Sequence, residues 1–234
     1  MSQVHFHQFD AEYASAYHTL EAVKKLDPKG FGYVCQFACG SGVWLAAAQA
    51  LEANRLLGID RVAAEDEPHC IPSSFIANYD LSQVRVSLPE TANLAINILY
   101  LQQLPEERAP AFVEDLCKSS NRVLFGALAP FQLSSQSCNL KWPSHWARLF
   151  ANHGFYPELR FRPMVWSNRF IDPSIRQNVL LYVRRAKNYK FTHPFENLDV
   201  VHPSLFETYM TRQNWFAQQL TKSTIGKILG VKKP

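Results

Sequence analysis

Short apolar runs alternate with segments of helical periodicity through the first 186 residues, and beyond Arg184-Arg185-Ala186-Lys187 that rhythm stops. Such alternation is the signature of strands joined by crossover helices, and therefore of a mostly parallel sheet. The pattern places strands near residues 33–38, 55–60, 74–78, 93–99, 121–127, 155–161 and 177–184. Between the first two lies an Ala/Leu-rich stretch, Val43 to Leu51, of high helix propensity that follows directly on a glycine turn. A second helix over about 106–118 opens after Pro105 with Glu106-Glu107, acidic residues suited to the first turn. A third starts near Pro143-Ser144 and ends before Gly154, which serves as a C-terminal cap.

The same pattern divides the chain into a body, residues 1–186 with a helical lead-in over about 1–32, and a C-terminal extension, residues 187–234, that is partly helical and basic. Pro194 and Pro203 interrupt the extension, and Pro203 opens a helix over about 204–220 with Leu205, Tyr209, Phe216 and Leu220 near one face. That stripe reads as packing rather than as a binding surface. The final segment, Lys222 to Pro234, mixes four lysines with a short apolar set, a weak membrane anchor at best.

Composition narrows the function classes. With 47% hydrophobic and 19% charged residues in 234, the chain is too apolar for intrinsic disorder and long enough for one sizeable core. It lacks the roughly 18 to 20 uninterrupted apolar residues of a spanning helix, so stable membrane insertion is not expected. Met1 to His7 has no basic cluster followed by an apolar core, so a cytoplasmic location is expected. Cys35, Cys39, Cys70, Cys117 and Cys138 are odd in number, widely spaced and without a C-x-x-C pair, which argues for free thiols rather than disulfides or zinc. His5 and His7 resemble a metal pair only in spacing, and no metal is expected. Residues 1–186 balance 17 basic against 17 acidic residues, while 187–234 carry 7 against 3. The excess in the tail gives little support for a polyanion, and no nucleic-acid partner is expected.

The chemistry concentrates at Val34-Cys35-Gln36-Phe37-Ala38-Cys39-Gly40-Ser41-Gly42-Val43-Trp44-Leu45, a strand, a turn of small residues and a helix. Small side chains let the backbone approach a ligand while the helix N-terminus offers free N–H groups. The next strand ends in Leu57-Gly58-Ile59-Asp60, which puts a carboxylate where it can accept hydrogen bonds from ribose hydroxyls. The plainer alternative is a tight turn with a strand-terminal Asp capping the next loop.

Over most of residues 33–186 the sequence resembles the class I S-adenosylmethionine-dependent methyltransferases. The family's first motif, an acid, an apolar residue, then Gly-x-Gly-x-Gly, aligns with Gln36 to Gly42, where Gln36 stands for the acid and Ala38 for the first glycine. The resemblance implies an α/β, Rossmann-like, mostly parallel seven-stranded sheet with helices on both faces, plus the C-terminal extension. It also implies S-adenosylmethionine as cofactor, held by Ala38, Cys39, Gly40, Ser41 and Gly42, by Asp60 at the ribose, by Asp80 and Leu81 near the adenine, and by Asn97. Leu99-Tyr100-Leu101-Gln102-Gln103-Leu104-Pro105 resembles the family's E-V-x-E-H-L-P, with Gln103 at the His position as the candidate catalytic residue, although an amide is no general base.

Three further stretches resemble methyltransferases that tailor surface sugars and secondary metabolites: Trp142-Pro143-Ser144-His145-Trp146-Ala147-Arg148-Leu149-Phe150 closing at Gly154-Phe155, Arg176-Gln177-Asn178-Val179-Leu180-Leu181, and Val201-His202-Pro203. Ser137 and Leu140 occupy positions that hold His and Glu in that group, while Asn139 is retained. Tyr100, Asn139, Trp142 and Arg176 are accordingly the candidates for contact with the acceptor. Packing aromatics account equally for Trp142 and Trp146, and His145 reads as a packing histidine. Arg160, Arg162, Arg169 and Arg176 read as surface charges unless two converge beside the cofactor, in which case they would grip an anionic sugar. The expected activity is methyl transfer to an oxygen or nitrogen of a small molecule or saccharide. The alternative is a catalytically weakened, methyltransferase-like binding or scaffold protein; a nicotinamide dehydrogenase is a more distant third.

Overall fold

A computed structural model describes residues 6–27, 30–61, 69–132 and 137–211, with side chains from Asp10 onward. Its elements are α1 (Phe6–Leu26), β1 (Tyr33–Phe37), α2 (Val43–Ala50), β2 (Arg55–Asp60), β3 (Ile76–Asn78), β4 (Leu94–Ile98), α3 (Ala109–Ser119), β5 (Arg122–Gly126), α4 (Pro143–Ala151), β6 (Phe155–Pro157), α5 (Phe161–Trp166), α6 (Pro173–Asn178) and β7 (Val179–Arg184). The seven strands form one sheet in the order β3-β2-β1-β4-β5-β7-β6. β1 to β5 run parallel, whereas β7 pairs antiparallel with both β5 and β6.

Alternation along the strands sends side chains to two cores. Cys35, Phe37, Ala95, Val123, Phe125, Leu180 and Tyr182 meet α3 and α4, where Phe112, Trp146 and Phe150 are buried. Val34, Leu94, Ile96, Leu124, Val179 and Leu181 meet α1, α2 and α5, where Leu20, Trp44, Leu45 and Phe161 are buried. Helices on both faces leave these strands no polar side, which is why each was readable as an apolar run. Phe125 packs edge-on against Trp146 at 5.8 Å and Phe150 at 5.1 Å between centroids. Trp146 is therefore a core residue, as the packing reading expects.

Two expectations are corrected. The strand expected over 155–161 stops at Pro157, because Glu158 turns the chain and Pro163 sits in the first turn of α5, where its missing N–H costs nothing. The helix expected over 106–118 begins as a single 3-10 turn at Glu106–Arg108 and becomes α-helical at Ala109. The first compact unit runs to Asp199. Ser144 N and Oγ donate to the Asp199 carboxylate at 2.8 and 2.7 Å, and Arg162 Nη1 donates to Leu198 O at 2.8 Å, which ties residues 195–199 to α4 and α5. The second unit, Val200–Pro234, is described only to residue 211; residues 203–211 are helical and the His202 ring accepts the Ser204 N–H. Phe216, Leu220 and the lysine-rich end lie outside the described residues, as do His5 and the His7 side chain. No described helix is long and apolar enough to cross a membrane.

Candidate functional site

The strand order reverses between β1 and β4, and a ligand crevice opens beyond the carboxyl ends of strands at such a point. Both strands leave the sheet through a left-handed, non-glycine residue, Ala38 at φ 55° after β1 and Leu99 at φ 51° after β4. Such backbone is costly for an L-residue and concentrates where ligands bind. Within the turn, Gly40 at φ 51° has nothing within 4 Å of where a Cβ would stand, so its face is open to a ligand. A Cβ on Gly42 would instead meet Ile71 at 2.5 Å, and one on Gly58 would meet Cys39 Sγ at 2.6 Å.

Asp60 anchors the turn. Its carboxylate accepts the Gly40 N–H at 2.7 Å on one oxygen and the Arg61 N–H at 2.7 Å on the other. Each oxygen keeps a lone pair, so the group can still accept from a ligand diol. Asp80 accepts from Ser82 N and Oγ at 3.0 and 2.5 Å, and these bonds hold its carboxyl below the usual range. Tyr100 stands near both acids: burial first, then the charges of Asp60 and Asp80, push its phenol up.

The turn also lines a cavity of about 840 Å³. Its floor is Gln36, Ala38, Cys39, Gly40, Ser41, Trp44, Ile98 and Leu99. One wall comes from α1 through Ala11, Glu12, Ala14 and Ser15, and another from residues Arg169 to Pro173 with Ile175. The two walls are tied together, since Asp172 N donates to Ser15 Oγ at 2.9 Å and the His18 ring stacks on Phe170 at 5.0 Å. Burial raises the Glu12 carboxyl above its ordinary range. The Glu12 charge also helps to raise the Cys70 thiol, after burial, and Cys70 N donates to Ser41 O at 2.7 Å, so Glu12 lies close to the glycine turn. Burial pushes Cys39, at the turn, up to about 12, so it carries no thiolate near neutrality.

Of the residues singled out in the sequence, the structure gathers Ala38, Cys39, Gly40 and Ser41 into the cavity and Asp60, Asp80 and Tyr100 beside it. Asn97 lies beneath, fully buried, with Nδ2 donating to Phe37 O at 3.0 Å and thereby pinning β4 to the end of β1. Leu81 packs in the core. The others stand outside the cavity lining. Gln103 is exposed, and its backbone N–H closes a turn onto Tyr100 O. Its neighbour Gln102 is the buried one, bracing the loops after β4 and β5 through Leu99 O and Leu128 N. Asn139 is buried with both amide atoms unpartnered, Trp142 lies against Phe131, and Arg176 donates to Trp166 O. Arg160 pairs with Glu158 and Arg162 donates to backbone carbonyls, so Arg169 alone of the four arginines lines the cavity. Sequence reasoning missed Glu12, Ser15 and the 170–173 segment.

This strand order and crevice belong to a Rossmann-like fold shared with solved methyltransferases, and at the level of fold the expectation read from the sequence holds. The solved sugar N-methyltransferase KedS8 from a Streptoalloteichus species superposes with a TM-score of 0.57 over 80% of this chain and 94% of its own, at 12% identity. The magnesium protoporphyrin IX methyltransferase ChlM from Synechocystis, solved with bound SAM, is 20% identical over 76% of this chain and 80% of its own, with a TM-score of 0.47. No family model and no curated protein matches the chain.

Proposed function

We propose that the chain is an S-adenosylmethionine-dependent methyltransferase acting on an oxygen or nitrogen of a small molecule or saccharide. The observation that carries this reading is the cradle around Gly40: an open left-handed glycine, tied to an acid at the end of β2 that retains free lone pairs, beside a cavity floored by the two switch-point strands. The buried Gln36 carbonyl, which has no partner among the described residues and lines the cavity, is a second sign that a ligand belongs there. Bound here, S-adenosylmethionine supplies an already activated sulfonium methyl for in-line displacement.

The residues then divide the work. Asp60 accepts from the ribose hydroxyls while it holds the turn, and Asp80 lies toward the adenine amine. Ala38 to Ser41 bring backbone close to the ligand without side-chain interference. Trp44, Ile98 and Leu99 form an apolar floor that excludes water from the transferring methyl. Gln103 does not line this cavity and its amide is no general base, so the reading favours an acceptor that is an amine or is acidic enough to lose its own proton to water.

Incubation with S-adenosylmethionine labelled on the methyl group and a panel of amino sugars, sugars and phenols tests the assignment, with transfer to at least one acceptor class expected. Tight cofactor binding without transfer to any would favour the second reading, a methyltransferase-like binding or scaffold protein, which rests on Gln36, Ala38, Gln103, Ser137 and Leu140.

A further inference from the structure

Two opposite charges line the cavity. Glu12 comes from α1 and Arg169 from the loop between α5 and α6. Among the described residues neither joins an ion pair or a side-chain hydrogen bond; the Arg169 guanidinium only rests 5.6 Å from the Phe170 ring centroid. The other arginines of this region are all engaged. Both side chains are exposed, so water serves them when no ligand is bound, although partial burial raises the Glu12 carboxyl above its ordinary range. A third group in the same cavity is the buried one: Gln36, only 3% exposed, has an Oε1 with no partner among the described residues.

The frame that carries the charges is fixed. The Ser15 hydroxyl takes the Asp172 N–H, and His18 stacks on Phe170, so the α1 wall and the 169–173 wall do not depend on the ligand for their approach. A ligand that carries a cation and an anion at one end satisfies both walls at once. Gln36 stands, moreover, where the resembled family has an acid, so the negative charge missing from the sheet side of the cavity is present on its helix side.

We propose that Glu12 takes over the role of the absent acid at position 36 and, with Arg169, forms a clamp for the zwitterionic α-amino-acid end of the cofactor. Glu12 and Gln36 Oε1 accept from the ammonium, and the Arg169 guanidinium donates to the carboxylate. The clamp rests on the cofactor reading above.

The test is calorimetric titration of the full chain with S-adenosylhomocysteine and with 5′-methylthioadenosine, which keeps the adenosine and lacks the amino-acid end. The parent binds S-adenosylhomocysteine at least about tenfold more tightly, and Glu12→Gln and Arg169→Gln each lose about tenfold or more for it while changing less than about twofold for 5′-methylthioadenosine. Adding Gln36→Glu to Glu12→Gln restores at least about threefold of the lost affinity, since it returns a carboxylate to the cavity. Unchanged affinity in both single variants overturns the clamp, as does equal loss for both ligands, which marks damage to the fold. A parent that binds both ligands equally removes the clamp alone; a parent that binds neither removes the cofactor reading with it.

Discussion

Ala38 and Asp60 make the turn what it is. Ala38 holds φ at 55°, a conformation that costs an L-residue about 1–2 kcal/mol and glycine nothing. After subtracting the extra freedom glycine has when unfolded, Ala38→Gly is expected to stabilise by up to about 1 kcal/mol, a rise of about 2–4 °C in Tm. A fall in Tm would show that the Ala38 methyl packs in a way that outweighs its strain. Asp60→Ala removes the Gly40 anchor and the ribose acceptor together, and a loss of about tenfold or more in affinity for S-adenosylhomocysteine is expected; unchanged affinity would refute the site assignment. Both residues were legible because they sit in a short local pattern of strand, turn, helix and strand. Glu12 was not, since nothing in its own neighbourhood distinguishes it. Its role depends on a wall whose partner, Asp172, lies 157 residues from Ser15 in sequence.

At the scale of elements, α3 is tied to the connection before β4 by one buried acid. Asp115, 2% exposed, accepts from Arg85 Nε at 2.6 Å, Arg108 Nη2 at 3.3 Å and Val86 N at 3.3 Å. Asp115→Ala takes the carboxylate from the buried side of Arg108, which keeps its bond to Val84 O, and a loss of about 3–5 kcal/mol in urea denaturation is expected; a loss under about 1 kcal/mol would contradict it. Glu158, at the turn after β6, gives a pH-dependent counterpart. Its bonds to Arg160, then to Arg185, hold its carboxyl at about 2, below the ordinary 4.5. A depressed carboxylate contributes stability that is full above 4.5 and fades as pH falls toward 2, so Glu158→Gln should flatten the stability profile between those values. Identical acid profiles for variant and parent would contradict this. The inner strands were legible because covering both faces makes them largely apolar, with Gln36 and Asn97 as the polar exceptions in β1 and β4. α5 and α6 were not, because six residues are too few to show a helical period, although Asp172-Pro173 is a helix-start signal: Asp172 Oδ1 accepts the Ser174 N–H at 2.7 Å.

For the whole molecule, the sheet order fixes where a ligand enters, and the helices beyond the sheet decide what fills the space. The first of these was open to sequence, because the turn and its acid mark the ends of β1 and β2. The second was not, because the cavity walls come from the N-terminal helix and the loop before α6, which only the packed fold brings together. The catalytic candidate Gln103 and the acceptor candidates Tyr100, Asn139, Trp142 and Arg176 do not line that space: their motif positions were clear, but their distances were not. The most direct test is calorimetric titration of the purified full chain with S-adenosylmethionine and S-adenosylhomocysteine. The fold and the open turn predict micromolar binding of both, whereas no heat at millimolar ligand would contradict the cofactor assignment on which the proposed function stands.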